Sequence, residues 1–191
     1  MKEVMRSSRI HKILKAAATI AVICSANSVL AGEAYINSVS LEVASGEDVH
    51  QLRFASQHNL AQRWLQGNGR HLGGYLDFSL AQWRGTAYRG VSGEHQNITS
   101  IGVTPVLRYQ ADDGKGWYAE GGIGANLMSQ VYNNGGKRLS TAFEFGDHVG
   151  VGYVFDNKWD VALKLQHFSN ASIKEPNDGV NFVVLKVGRA F

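Results

Sequence analysis

An imidazole and a hydroxyl lie two residues apart in this 191-residue chain, in the run His167-Phe168-Ser169-Asn170-Ala171. In an extended segment, residues i and i+2 project from the same face. The ring of His167 can then take the proton of Ser169 and turn its hydroxyl into a nucleophile. The face they share is apolar. Val161, Leu163 and Leu165 have the parity of His167, whereas Asp160, Ala162, Lys164 and Gln166 have the other. A polar pair on an apolar surface calls for a functional explanation.

The elements that must position this pair are strands. Alternation with period two predicts eight of them: Tyr35 to Ala44, Val49 to His58, Leu72 to Trp83, Ile98 to Tyr109, Trp117 to Leu127, Thr141 to Phe155, Lys158 to Ser169 and Asn181 to Phe191. Turn signals separate them, among them Gly67-Asn68-Gly69, Asp112-Asp113-Gly114 and Asn177-Asp178-Gly179. Pro105 falls inside the fourth, where it cannot donate to a ladder and predicts a kink or bulge. Eight short-linked strands of about ten residues suggest an all-β fold, an eight-stranded antiparallel up-and-down barrel. The terminal Phe191, with apolar residues at matching parity, is the ending that outer-membrane barrels use for assembly. In such a barrel the apolar face meets lipid and the polar face fills the lumen. Asp77, Arg108, Glu120, Glu144 and Lys164 then form a polar core, and Trp83, Trp117 and Trp159 fit interfacial belts. The competing architecture is a secreted soluble barrel or sandwich with an apolar interior.

The N-terminus fits export. Lys2, Arg6, Arg9, Lys12 and Lys15 precede a short apolar run over 16–26, and Val29-Leu30-Ala31 has the small residues of a secretory cleavage site. We therefore divide the chain into a signal peptide, 1–31, and a barrel, 32–191. The only cysteine, Cys24, lies in the signal, so no disulfide holds the exported part. Removing five Lys/Arg and one Glu takes +4 from the formal charge of +3 and leaves about −1. The basic balance of the whole chain therefore says nothing of nucleic acid, and no basic stripe interleaved with aromatics is present. His50, His58, His71 and His95 lack metal-ligand spacing. Gly121-Gly122-x-Gly124 lies within a strand and is not a nucleotide loop. No cofactor or metal is expected.

With both chain ends on the periplasmic side, the seventh strand ends at the cell surface. His167 and Ser169 then sit at its outer end, and the loop over 170–180 is extracellular. Asn181 shares the parity of Val183, Leu185 and Val187, so it too points at lipid. Three polar side chains converge at the level of the outer leaflet, a suitable place to attack a lipid ester.

At this point the chain resembles the PagL-type lipid A 3-O-deacylases. The resemblance covers the exported chain in length and strand count, and is specific in His-Phe-Ser-Asn-Ala and in Pro-Asn-Asp-Gly. It implies an outer-membrane serine esterase acting on lipid A of lipopolysaccharide. His167 would be the base and Ser169 the nucleophile. Asn170, with the backbone N–H groups of Ala171 and Ser172, would stabilise the oxyanion. The family's third member is an acid twelve residues after the serine, where this chain has Asn181. An amide can orient an imidazole but cannot offset its charge. Glu175 and Asp178 in the loop are the alternatives for that role. Two further readings stand beside this one: an outer-membrane phospholipase, whose family uses His, Ser and Asn on a longer chain with more strands, and a non-enzymatic small barrel serving as adhesin or structural protein.

Overall fold

The computed structural model describes residues 36–191. The expected signal segment and cleavage site, with Cys24 and Tyr35, lie outside the described residues. Eight long strands follow the expected stretches closely: β1 (Ser38–Gly46), β2 (Val49–Asn59), β4 (Arg70–Gly85), β5 (Gln96–Ala111), β6 (Gly116–Met128), β9 (Phe143–Val154), β10 (Trp159–Ser169) and β11 (Val180–Ala190). Three short ones were not foreseen. β3 (Trp64–Gly67) folds back on the start of β4, and β7 (Asn133–Asn134) and β8 (Lys137–Arg138) form a hairpin within the loop after β6.

Each long strand pairs antiparallel with its neighbours in sequence. The sheet closes because β1 also pairs with β11, leaving no open edge among the eight. β2 and β4 pair directly across the loop that holds β3. One barrel end carries Ile36, the C-terminal Phe191 and the turns at 112–115 and 155–158. The other carries the loops at 86–95, 129–142 and 170–179.

The barrel is inside out relative to a soluble protein. Leu52, Leu80, Ile101, Leu107, Val149, Leu163, Leu165 and Leu185 are exposed on its wall, whereas Glu42, Arg53, Asp77, Glu120, Lys164 and Lys186 are buried within it. That is the pattern of a lipid-facing barrel with a filled polar lumen, as expected, and it excludes the soluble alternative with an apolar interior. Most of the buried charges are matched, Glu144 having only the hydroxyl of Thr141 among the described residues. Arg53 bridges Glu42 and Asp77, Lys164 meets Glu42 at 2.7 Å, Arg108 meets Glu120 at 2.7 Å, and Lys186 meets Asp160 at 2.8 Å.

Two expectations need correction. Trp83 is not an interfacial residue. It is fully buried, and its Nε1 donates to Ser100 Oγ at 2.9 Å. Its parity is that of Asp77 and Ala81, which face the lumen. Trp117 and Trp159 are exposed at the end with the turns at 112–115 and 155–158, as a belt requires. Pro105 does not bulge the sheet. The pairs β5 makes with β6 lapse at Thr104 and Pro105 and resume in the same register, while pairing with β4 continues unbroken.

Trp83 matters for the site. It packs edge-on against Phe168 and Phe182, with ring centroids 4.6 and 5.0 Å away. These two phenylalanines are the inward-facing residues of β10 and β11 next to His167 and Asn181. An aromatic plug at the loop end of the lumen therefore backs the strand pair that carries the polar residues outside.

Candidate active site

His167 and Ser169 sit at the end of β10 nearest the long loops, on the outward parity of Leu163 and Leu165. The alternate residues Lys164, Gln166, Phe168 and Asn170 are buried. β11 runs back beside β10 so that Asn181 lies directly opposite His167 in register. Across such a pair the side chains are neighbours. Here His167 Nδ1 and Asn181 Oδ1 are 2.6 Å apart. An amide oxygen only accepts, so Nδ1 carries the proton and donates it. The other nitrogen, Nε2, keeps its lone pair. Asn181 thus holds the imidazole in the tautomer a general base needs. Ser169 is half-exposed and its hydroxyl makes no hydrogen bond within the described residues, so it is free to turn toward the ring.

The loop that follows is held from within. The fully buried Asn170 donates from Nδ2 to the carbonyl of Lys174 at 2.9 Å, and its backbone N–H donates to Asn177 Oδ1 at 3.0 Å. Asp178 accepts from the N–H of Arg138 at 2.7 Å and returns its own N–H to the carbonyl of Arg138. Ser140 donates to the carbonyl of Pro176 at 2.7 Å. The loop is therefore docked on the β7–β8 hairpin. Asp178 is committed to that docking, and Glu175 lies exposed. Neither is the partner of His167 Nδ1.

Two consecutive residues, Ala171 and Ser172, take left-handed φ angles of 53° and 60°. Side chains make this conformation costly, and such strain is held where surrounding structure enforces it, often at functional sites. Their exposed N–H groups meet no acceptor among the described residues, directly after the serine. Asn170 is there too, but its side chain is engaged with Lys174. At the far end of the loop Gly179 has φ +69°, and a Cβ there would stand 2.6 Å from His167 Cε1. Only glycine lets the chain return so close over the ring.

A shallow groove on the wall contains His167 and Asn181, together with Asp147, Val149, Leu165 and Val183, and has a volume of about 470 Å³. Asp147 belongs to β9 and lies directly opposite His167 on the side away from Asn181. The three form an outward-facing row, Asp147–His167–Asn181, across three strands.

A family model described as lipid A 3-O-deacylase (PagL) matches residues 50–190. The chain belongs to this family. A lipid A deacylase PagL of Bordetella bronchiseptica is 32% identical over 149 residues, covering 77% of this chain and 79% of that protein. One of Pseudomonas aeruginosa is 31% identical over 163 residues, covering 84% and 90%. The crystal structure of the outer membrane enzyme PagL superposes with a TM-score of 0.69 at 26% identity, over 81% of this chain and 99% of that one.

Sequence reasoning missed Asp147 in this PagL-family chain, although the signal was present. Asp147 shares the parity of Val149 and Val151, so an acid on the apolar face was legible there as it was at His167. Gly179 was read only as part of a turn, because its closeness to the ring depends on how the loop folds back. His148 is buried in the lumen with its Nε2 3.9 Å from Glu120 Oε1, and neither atom has a hydrogen-bond partner among the described residues.

Proposed function

We propose that Ser169, His167 and Asn181 carry out the reaction of this family, the hydrolysis of the 3-O ester of lipid A at the outer leaflet. The outer membrane is the place of this barrel, and lipid A deacylation is its activity. Ser169 Oγ attacks the ester carbonyl while His167 Nε2 takes its proton. The oxyanion that forms is met by the N–H groups of Ala171 and Ser172, with Asn170 holding the turn that presents them. The tetrahedral species collapses, the C–O bond to the sugar breaks, and the imidazolium returns its proton to the sugar oxygen. Water then attacks the acyl-Ser169 ester, His167 takes its proton, and the fatty acid leaves as Ser169 regains its hydrogen. No cofactor enters.

The observation that carries this reading is the 2.6 Å contact from His167 Nδ1 to Asn181, made on a lipid-facing wall. An adhesin or structural barrel has no use for an oriented imidazole at that place. Mass spectrometry of lipid A from cells making the protein should reveal loss of one ester-linked hydroxyacyl chain. Cells making Ser169→Ala should keep the full acyl pattern, with the variant still folded and heat-modifiable on gels. Acyl loss with Ser169→Ala would remove the nucleophile assignment, and release of fatty acid from phospholipid vesicles instead would favour the phospholipase reading.

A further inference from the structure

We infer that Arg84 and His50 form a second polar station on the barrel wall, which holds a phosphate of the same glycolipid whose ester Ser169 attacks. This rests on the lipid A reading above. The station is built from register. Ser45 of β1 lies opposite His50 of β2, His50 lies opposite Arg84 of β4, and Arg84 lies opposite Asn97 of β5. All four have the outward parity, and Ser45 lies opposite Val183, two residues below Asn181 on β11. A polar band thus leaves the His167 row and runs around the wall at nearly the same height.

Arg84 is the notable member. It is exposed one residue from the loop end of β4, and it forms no ion pair with any described residue. The buried arginines Arg53 and Arg108 both have carboxylate partners. An arginine on a lipid-facing wall is costly at mid-membrane and costs close to nothing at the interface. Its position near the strand end places it where anionic headgroups lie. A guanidinium is well suited to phosphate because its N–H groups can bond two oxygens together. His50 adds a ring nitrogen, since its Nδ1 is turned to Ser45 Oγ at 3.3 Å.

Below the band, Arg84 and His50 head a groove of about 600 Å³ with apolar walls of Val43, Leu52, Leu163 and Leu185. It shares Ser45 and Val183 with the groove that holds His167. Strand spacing puts the His50–Arg84 station roughly 15–20 Å around the wall from His167. A phosphorylated disaccharide headgroup, extended by the arginine side chain, spans that gap. An ester at one sugar can then meet Ser169 while a phosphate on the other meets Arg84.

The test uses purified, refolded barrel in detergent micelles. Affinity for bisphosphorylated lipid A and for fully dephosphorylated lipid A is measured on the Ser169→Ala background, and KM and kcat are measured with Ser169 present. Arg84→Gln should weaken binding of the bisphosphorylated lipid about tenfold, the effect of one charge-assisted contact. It should raise KM by the same factor, leave kcat unchanged, and have no effect on the dephosphorylated lipid. Arg89→Gln, a loop guanidinium stacked on Tyr88, should change neither. Equal affinities of Arg84→Gln and its parent for the bisphosphorylated lipid would overturn the proposal. So would an equal loss with Arg89→Gln, or an equal loss for phosphatidylglycerol, which would make Arg84 a general headgroup anchor. Because binding is read without turnover, a barrel that binds phosphate through Arg84 but hydrolyses nothing would sink the esterase reading alone.

Discussion

The lumen and the outer wall of this barrel treat polar groups in opposite ways. Inside, charges close on one another: Glu42 is met by Arg53 and Lys164, and Asp160 by Lys186 and the hydroxyl of Tyr118 at 2.6 Å. Outside, Asp147, His167 and Asn181 share a single hydrogen bond, and Ser169 and Arg84 have no polar partner among the described residues. A network of ion pairs sealed inside the lumen offers nothing to a lipid on the wall. An open row has an unused nitrogen, a free hydroxyl and unspent N–H groups, set on a surface where lipid arrives by lateral diffusion. The difference teaches where to look in such a fold: at polar groups with the apolar parity.

The comparison is broken most severely at the catalytic pair. His167→Asn should lose activity as completely as Ser169→Ala, a fall of at least about a thousandfold, and the double variant should be no worse. Residues that act as one unit show losses that do not add. Deacylation rates on purified lipid A check this, and multiplied losses in the double variant would separate the two residues.

Much of this was legible beforehand for a physical reason. Lipid outside and charge inside impose a period of two on every long strand, so the eight strands, the inverted barrel and the outward pair His167 and Ser169 could be read directly. Asn181 followed from its own parity. What could not be read depends on contacts between segments far apart in sequence. The N–H of Ala87 donates to Asn134 Oδ1 at 2.8 Å, and Asn134 Nδ2 donates to the carbonyl of Asp48 at 2.7 Å, tying three loops together. No local pattern announces that, nor the docking of Asp178 on Arg138. Trp83 is a different case. An aromatic near a strand end suggested a membrane belt, but its parity already put it in the lumen, and parity was the stronger argument.

A luminal substitution should have the opposite signature to a catalytic one. Arg53→Met removes a buried guanidinium from between Glu42 and Asp77 and leaves Asp77, among the described residues, with only the amide of Gln57, at 2.9 Å. Breaking one side of a buried ion cluster costs about 3–5 kcal/mol. The folded, heat-modifiable band should melt at lower temperature or urea, while kcat of the protein that remains folded stays within about twofold. An inactive yet fully stable Arg53→Met would mean that the lumen and the wall are not separable.

The smallest effects lie in the row itself, and they decide what replaces the missing acid. If Asn181 orients the imidazole, Asn181→Ala should lower kcat about tenfold, the worth of one neutral hydrogen bond, without changing stability. Asn181→Glu should keep or raise activity. A carboxylate oxygen accepts from Nδ1 as the amide oxygen does, and it also offsets the imidazolium formed during the reaction. Rescue by Asn181→Glu together with loss in Asn181→Ala would mark a positioning role, which packing alone would not produce. Asp147 faces the ring from the opposite strand but makes no ion pair with it among the described residues, so Asp147→Asn should change kcat less than Asn181→Ala does. If Asn181→Ala were fully active while Glu175→Ala or Asp178→Ala were dead, the loop would supply the third member. The docking of Asp178 on Arg138 would then have to open before the ring could be served.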